Sequence, residues 1–401
     1  MCFSTLPKGD LMPSIFADRM AVLGTETAFE VLAKAKALER QGKNIIHLEI
    51  GEPDFDTPQN IKEAAVKALY SGYTHYVPAA GIPELREAIA EYISKTRKIP
   101  VEPEEVVVTP GAKPIMFFAI LACVNSGEEV LYPNPGFPIY ESMINFVGAK
   151  PVPIPLKEEN DFRLDHEYVK KKITKKTKMI ILNSPENPTG GVLTKEDLKV
   201  IADCIANRDD VIVLSDEIYS RIIYEGTHES IASLPGMKEK TIILDGFSKT
   251  YAMTGWRLGY GVMRKDLAEK ITQLMVNSNS CTCAFIQMAG IEALKGPQDS
   301  VDRMVAEFRK RREVIVEGLN KIKGITCRKP KGAFYVFPNI TGTGMRSKEL
   351  SDYLLNEASV AVLPGTSFGK YGEGYLRISF ANSIENIREA LKRIEKALEK
   401  R

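Results

Sequence analysis

The sequence predicts an α/β protein, a mostly parallel sheet covered by helices, followed by a second and smaller α+β domain. Two observations predict the sheet. The β-branched runs at residues 106–108, 179–182, 211–214 and 241–244 are continuously apolar, as strands buried on both faces are. Helical patterns separate them. Thr194-Lys-Glu-Asp197 reads as a capping box that opens a helix through Leu198, Ile201, Ala202 and Ile205. Strand, helix, strand at this spacing argues for parallel pairing. A third observation marks the second domain. Residues 297–323 place Val301, Met304, Val305, Phe308 and Val314 on one helical face, and glycine-separated short strands come next at 333–337 and 375–380. A final helix starts at Ser383 with Ile384, Ile387, Leu391, Ile394 and Leu398 on one side, expected to dock on its own domain.

Length and composition bound the function. The 401 residues suffice for two or three domains. Fifty-four basic and 52 acidic residues leave a net charge of +2, which gives no reason to expect nucleic acid or an anionic membrane as partner. Cys2, Cys123, Cys204, Cys281, Cys283 and Cys327 include no C-x-x-C pair, so they read as reduced thiols of a cytoplasmic protein. The four histidines are scattered and form no H-E-x-x-H motif, so no metal site is expected. Residues 1–10 lack the apolar core of a signal peptide. The longest apolar run, 114–124, is about half of a membrane span.

The segments at the ends of the buried strands point to chemistry. After 106–108 comes Thr109-Pro-Gly111-Ala112-Lys113 and a helix. After 179–182 comes Asn183-Ser-Pro-Glu-Asn187-Pro-Thr-Gly190. After 211–214 comes Ser215-Asp216-Glu-Ile-Tyr219, and after 241–244 comes Asp245-Gly-Phe-Ser248-Lys249. Ligands of parallel α/β sheets lie beyond the carboxyl ends of the strands. Alone, each group has a commonplace explanation as a turn, a helix cap or a solvated lysine. Together they deliver a glycine turn, an amide, a carboxylate and an amine to one crevice. One cofactor needs that set. Its phosphate needs backbone N–H groups at a helix start. Its pyridine nitrogen needs a carboxylate. Its aldehyde needs an amine to form a Schiff base.

Ser248-Lys249-Thr-Tyr-Ala-Met-Thr-Gly-Trp256-Arg257-Leu-Gly-Tyr, with Asn-Pro-Thr-Gly and Ser-Asp-Glu-Ile-Tyr before it, resembles the fold-type I pyridoxal-phosphate enzymes. Within them the chain looks most similar to the class I/II aminotransferases of the bacterial and archaeal aspartate and aromatic type, from about residue 24 to its end. The resemblance implies a three-layer α/β/α large domain with a mostly parallel seven-stranded sheet, plus a smaller α+β domain. Residues 1–52 would form an N-terminal arm and part of the small domain, 53–297 the large domain and 298–401 the rest of the small one.

The same resemblance implies roles residue by residue. Lys249 matches the lysine that binds pyridoxal 5'-phosphate and moves the proton, and Asp216 the partner of its ring nitrogen. Tyr219 and Asn187 match donors to the ring oxygen. Gly111, Ala112, Lys113, Ser248 and Arg257 match the phosphate site, and Phe137 the aromatic ring stacked on the cofactor. Gly246 stands where some relatives carry a serine that adds a phosphate contact. Tyr76 matches a tyrosine that reaches the neighbouring subunit's phosphate, which implies a homodimer with shared active sites. Arg377 matches the arginine that grips the substrate α-carboxylate, a task suited to a planar guanidinium. Gly51 and Asn187 match further substrate contacts.

The implied reaction moves the amino group of aspartate, an aromatic amino acid or a similar donor to 2-oxoglutarate, through a pyridoxamine phosphate form. A β-lyase or decarboxylase of the same fold, and more remotely a non-catalytic cofactor-sensing regulatory domain, are the alternatives. Specificity is left open. Lys113 suits either a distal carboxylate or the phosphate. Phe137 leans toward aromatic or broad specificity, and Glu30, expected near the entrance, toward exclusion of dicarboxylates. Cys281 and Cys283 are expected near the dimer interface with no catalytic role.

Overall fold

Twelve strands and the helices between them form three sheets in the computed structural model, which describes residues 15–400. Cys2 and the signal-peptide reading of residues 1–10 lie outside the described residues. In chain order the strands are β1 (Ile46–His47), β2 (Val106–Thr109), β3 (Glu129–Asn134), β4 (Lys150–Pro155), β5 (Thr177–Asn183), β6 (Ile212–Asp216), β7 (Thr241–Gly246), β8 (Gly259–Val262), β9 (Tyr335–Val336), β10 (Val360–Ala361), β11 (Leu363–Pro364) and β12 (Leu376–Ser379).

Seven of them make the central sheet, in the order β2-β8-β7-β6-β5-β3-β4. β8 runs antiparallel to both its neighbours and the other pairings are parallel. This is the α/β fold with a mostly parallel seven-stranded sheet. The continuously apolar runs are strands of this sheet, edge strand β2 included: every residue of β2, β3 and β7 is buried, because helices cover both faces. One layer packs Ile89, Ile93 and Ala289 against Val106, Val108 and Ile243. The other packs Ile115, Ile120, Met143 and Ile271 against Val107, Val130 and Leu244. The capping box forms: Thr194 accepts from the Asp197 N–H, and the Asp197 carboxylate accepts from the Thr194 N–H, opening the helix Lys195–Cys204.

The C-terminal third builds a separate core. The helix Asp299–Leu319 buries Val301, Met304 and Phe308. Met304, Phe308, Phe334, Phe380, Ile387 and Ile394 share one cluster with Ile46 and Leu48 from the N-terminal part. β1 pairs with β10, and β11-β12-β9 form an antiparallel sheet. Ser383 caps the last helix, Ile384–Glu399, by accepting from the Asn386 N–H. The functional consequence is positional: β12 carries Arg377 and β9 carries Tyr335 to the mouth of the strand-end crevice.

Candidate active site

A cavity of about 480 Å³ lies at the carboxyl ends of β5, β6 and β7. Each strand delivers one side chain because its last residue, or the turn after it, stops at the same edge. β6 ends on Asp216, which is 8% exposed. Its Oδ2 accepts from the Tyr140 hydroxyl at 2.6 Å, and Oδ1 accepts from the Ile218 N–H at 3.3 Å. Burial pushes its carboxyl up to about 6, against the pull of those two donors. β5 ends on Asn183, which ties two loops together. Its Nδ2 donates to the Asp216 carbonyl at 3.1 Å and its Oδ1 accepts from the Asn187 N–H at 2.9 Å. Asn187 is thereby held in the cavity wall with its own Oδ1 buried and without a partner.

Lys249 follows β7. Its Nζ donates to the Gly51 carbonyl at 2.6 Å. Burial lowers its amine to about 8, with Glu52 working the other way. Ser248, Phe137 and Arg257 line the same space. Arg257 adopts φ 54, a left-handed conformation that costs a non-glycine residue energy, and donates from Nη1 to the Thr254 carbonyl at 2.7 Å. That places its guanidinium against Gly111, at φ 87, where a Cβ would collide with it. The glycine turn, Ala112 and the start of helix Lys113–Cys123 therefore form a cradle of backbone N–H groups facing a guanidinium. The serine of some relatives has no room at Gly246, since a Cβ there would lie 2.9 Å from the Gly259 Cα.

Arg377 closes the opposite side. It is 3% exposed and sandwiched between Tyr335, 4.6 Å from its guanidinium carbon, and Phe368, at 5.1 Å. Its Nη2 donates to the Glu49 carbonyl, and among the described residues no carboxylate pairs with it and its buried Nε has no acceptor. A buried guanidinium left this way is costly unless an anion arrives.

Two residues of the sequence reading lie outside the lining of this chain's cavity, Tyr76 being the one expected to reach the neighbouring subunit. Tyr76 is 90% exposed and outside the cavity lining. Glu30 is also exposed and does not line the cavity; Glu26, one helical turn earlier, does, and it is ion-paired with Lys113. Lys113 Nζ sits 5.3 Å over the Phe137 ring. Three contributors escaped sequence reading: Tyr140, Tyr335 and Glu26. Tyr140 lies three residues after Phe137, the spacing that returns a helix to one face, and that was the only available signal. Among the described residues, no group of three or more His, Cys, Asp or Glu side chains is placed to hold a metal ion, and no helix is long and apolar enough to cross a membrane.

Comparison with known proteins adds an independent line. The family model described as Aminotransferase class I and II matches residues 43–394. An aspartate aminotransferase of Pyrococcus abyssi is 49% identical over 360 residues, 89% of this chain and 92% of that protein. Aromatic-amino-acid aminotransferase 2 of Thermococcus litoralis is 43% identical, over 96% of this chain and 98% of its own length. The crystal structure of an aromatic aminotransferase from Pyrococcus horikoshii OT3 superposes with a TM-score of 0.89 at 45% identity, covering 96% and 98% of the two chains.

Proposed function

The chain belongs to the class I and II aminotransferases and transfers amino groups, and from that premise we propose that it works through pyridoxal phosphate held on Lys249. The observation that carries this reading is the meeting of a half-buried amine, a buried carboxylate and a buried guanidinium that has no carboxylate partner among the described residues, all in one cavity. The residues fit the group. The glycine cradle with Arg257 and Ser248 suits a phosphate. Among the described residues the buried Asn187 Oδ1 has no donor and Asp216 has no cationic partner, so both are left for a ligand.

When bound, the cofactor supplies an aldehyde that condenses with amines and a protonated ring that withdraws electrons from the bond to be broken. The chain supplies the rest. Asp216 holds the proton on the ring nitrogen, and Tyr140 fixes the carboxylate that does so. Arg377 takes the substrate α-carboxylate as a planar donor pair, the anion that its burial lacks, with Gly51 and Asn187 beside it. Lys249, a substantial fraction of it neutral near pH 8, would remove the α-proton of the substrate as a general base whose working pH its burial sets, and would deliver it to the cofactor's side of the site instead of back to the α-carbon. Tyr219 and Asn187 donate toward the ring oxygen, and Phe137 covers one ring face.

Donor range belongs to the same proposal. Aromatic and similar donors meet an apolar wall of Phe29, Ile50 and Phe137. A dicarboxylate such as aspartate or 2-oxoglutarate takes Lys113 only by displacing Glu26, which favours broad over strictly acidic specificity. A homodimer with shared sites, in the cytoplasm, is the assembly we propose. Tyr70 and Tyr76 are 89% and 90% exposed on one segment and need cover. A monomer in equilibrium sedimentation of the loaded protein contradicts the shared site. The central test is chemical. Borohydride treatment of the cofactor-loaded protein should add the reduced cofactor to the peptide holding Lys249, and a panel of donors with 2-oxoglutarate should release glutamate. An unmodified peptide refutes the reading.

A further inference from the structure

We propose that Tyr335 is a positioning residue of this site: its hydroxyl donates to Tyr219 and turns the Tyr219 proton toward the cavity, while its ring backs Arg377. The inference rests on the reading of Tyr219 as a donor to the cofactor's ring oxygen.

The two phenol oxygens lie 2.8 Å apart. Both residues are buried, and their rings meet edge to face with centroids at 5.8 Å. They come from distant parts of the chain. Tyr219 follows β6, whereas Tyr335 stands on β9, whose Tyr335↔Ser379 register sets it beside the strand of Arg377. Gly51 makes the approach possible, because a Cβ there would strike the Tyr335 hydroxyl. Neither hydroxyl has another hydrogen-bond partner among the described residues.

A phenol has one proton to give. In a bonded pair one proton is used between the oxygens, and only the accepting phenol keeps its own free for a ligand. The site decides which one that is. Burial pushes both phenols up. The Arg377 guanidinium pulls both back, and it lies against the Tyr335 ring, 4.6 Å from its centroid. The guanidinium stacked on the Tyr335 ring polarises that O–H, and a Tyr219 that gives its one proton to a ligand can only accept from Tyr335, so Tyr335 donates and Tyr219 accepts. An accepting phenol is polarised into a stronger donor in turn. Tyr335 thereby links the carboxylate end of the cavity, at Arg377, to its ring-oxygen end, at Tyr219.

The test loads the wild-type protein, Tyr335→Phe, Tyr219→Phe and the double variant with pyridoxal phosphate and follows the visible band against pH. A donor to the ring oxygen stabilises its charge most when the linked nitrogen has lost its proton. Weakening that donor therefore raises the midpoint. Tyr335→Phe should raise it by about half a pH unit, Tyr219→Phe by more, and the double variant by no more than Tyr219→Phe alone. Because phenylalanine keeps the ring, the affinity of Tyr335→Phe for a non-reacting dicarboxylate should stay at the wild-type value while kcat falls. An unmoved midpoint, an additive double variant, or a dicarboxylate affinity that falls in Tyr335→Phe overturns the proposal. A wild-type protein with no visible band overturns the reading of Lys249 on which it rests.

Discussion

Asp216 and Glu217 are neighbours in sequence, but they face differently built surroundings. Asp216 lines a cavity whose wall also holds the unpartnered Asn187 Oδ1 and Arg377 Nε. Glu217 enters a closed ionic cluster. Its Oε2 accepts from Arg97 Nε at 2.7 Å and lies 2.8 Å from His228 Nε2, and its Oε1 accepts from Ser215 at 2.8 Å and Ser230 at 2.6 Å. Arg97 also donates to Asp245 at 2.9 Å. Burial works against the ionised Glu217, but His228 and Arg97 outweigh it and hold the carboxyl far below its usual range. Among the described residues, only His228 Nδ1 lacks a partner there. Burying charge is costly in both regions. In the cluster, protein groups offset that cost. In the cavity the offset is left to a ligand, and that difference separates a structural ion network from a functional site.

The largest expected effect divides the two regions cleanly. Lys249→Arg should cut turnover by about 10⁴-fold, because arginine stays protonated, with little change in denaturant midpoint. Arg97→Ala should do the reverse, costing about 3–5 kcal/mol of stability by stranding Glu217 and Asp245, while folded molecules stay active. Chemical denaturation and kcat measured on both variants check this. A smaller effect tests whether the cavity's open groups carry a stability cost. Arg377→Met should raise the KM for the amino donor about 100-fold yet stabilise the cofactor-free protein by about 1 kcal/mol. A destabilised variant places Arg377 with the structural network instead.

The subtlest effect is a pH slope in the cofactor-free protein, spread over more than two pH units. Folded Lys249 titrates near 8 and the unfolded one near 10.5. Between those values the unfolded chain binds the extra proton, so stability climbs with pH, by about 3 kcal/mol. Lys249→Met should flatten that limb. Asp216 has the opposite sign. Its folded carboxyl keeps its proton up to about 6 against 3.8, so its contribution falls as pH rises through that window. Denaturation midpoints across pH, with and without the lysine, decide both.

Much of this was legible in the chain itself. A strand buried on both faces writes a continuous apolar run, and the residue that ends it is fixed in space by the ladder. Asn187, Asp216 and Lys249 could therefore be placed at one crevice from local order alone. Glu30 stands exposed just past the cavity-lining residues 26–29, because the distance of a side chain from a cavity depends on how its helix docks. Tyr335 left no mark in the sequence. Its importance comes from an approach to Tyr219 across 116 positions and to Gly51 and Arg377 from other strands. Local periodicity determines which residues sit at strand ends, since backbone hydrogen bonding is short-ranged. Only the packing of the C-terminal core against the sheet decides which hydroxyl meets which, and where a guanidinium is buried without its anion.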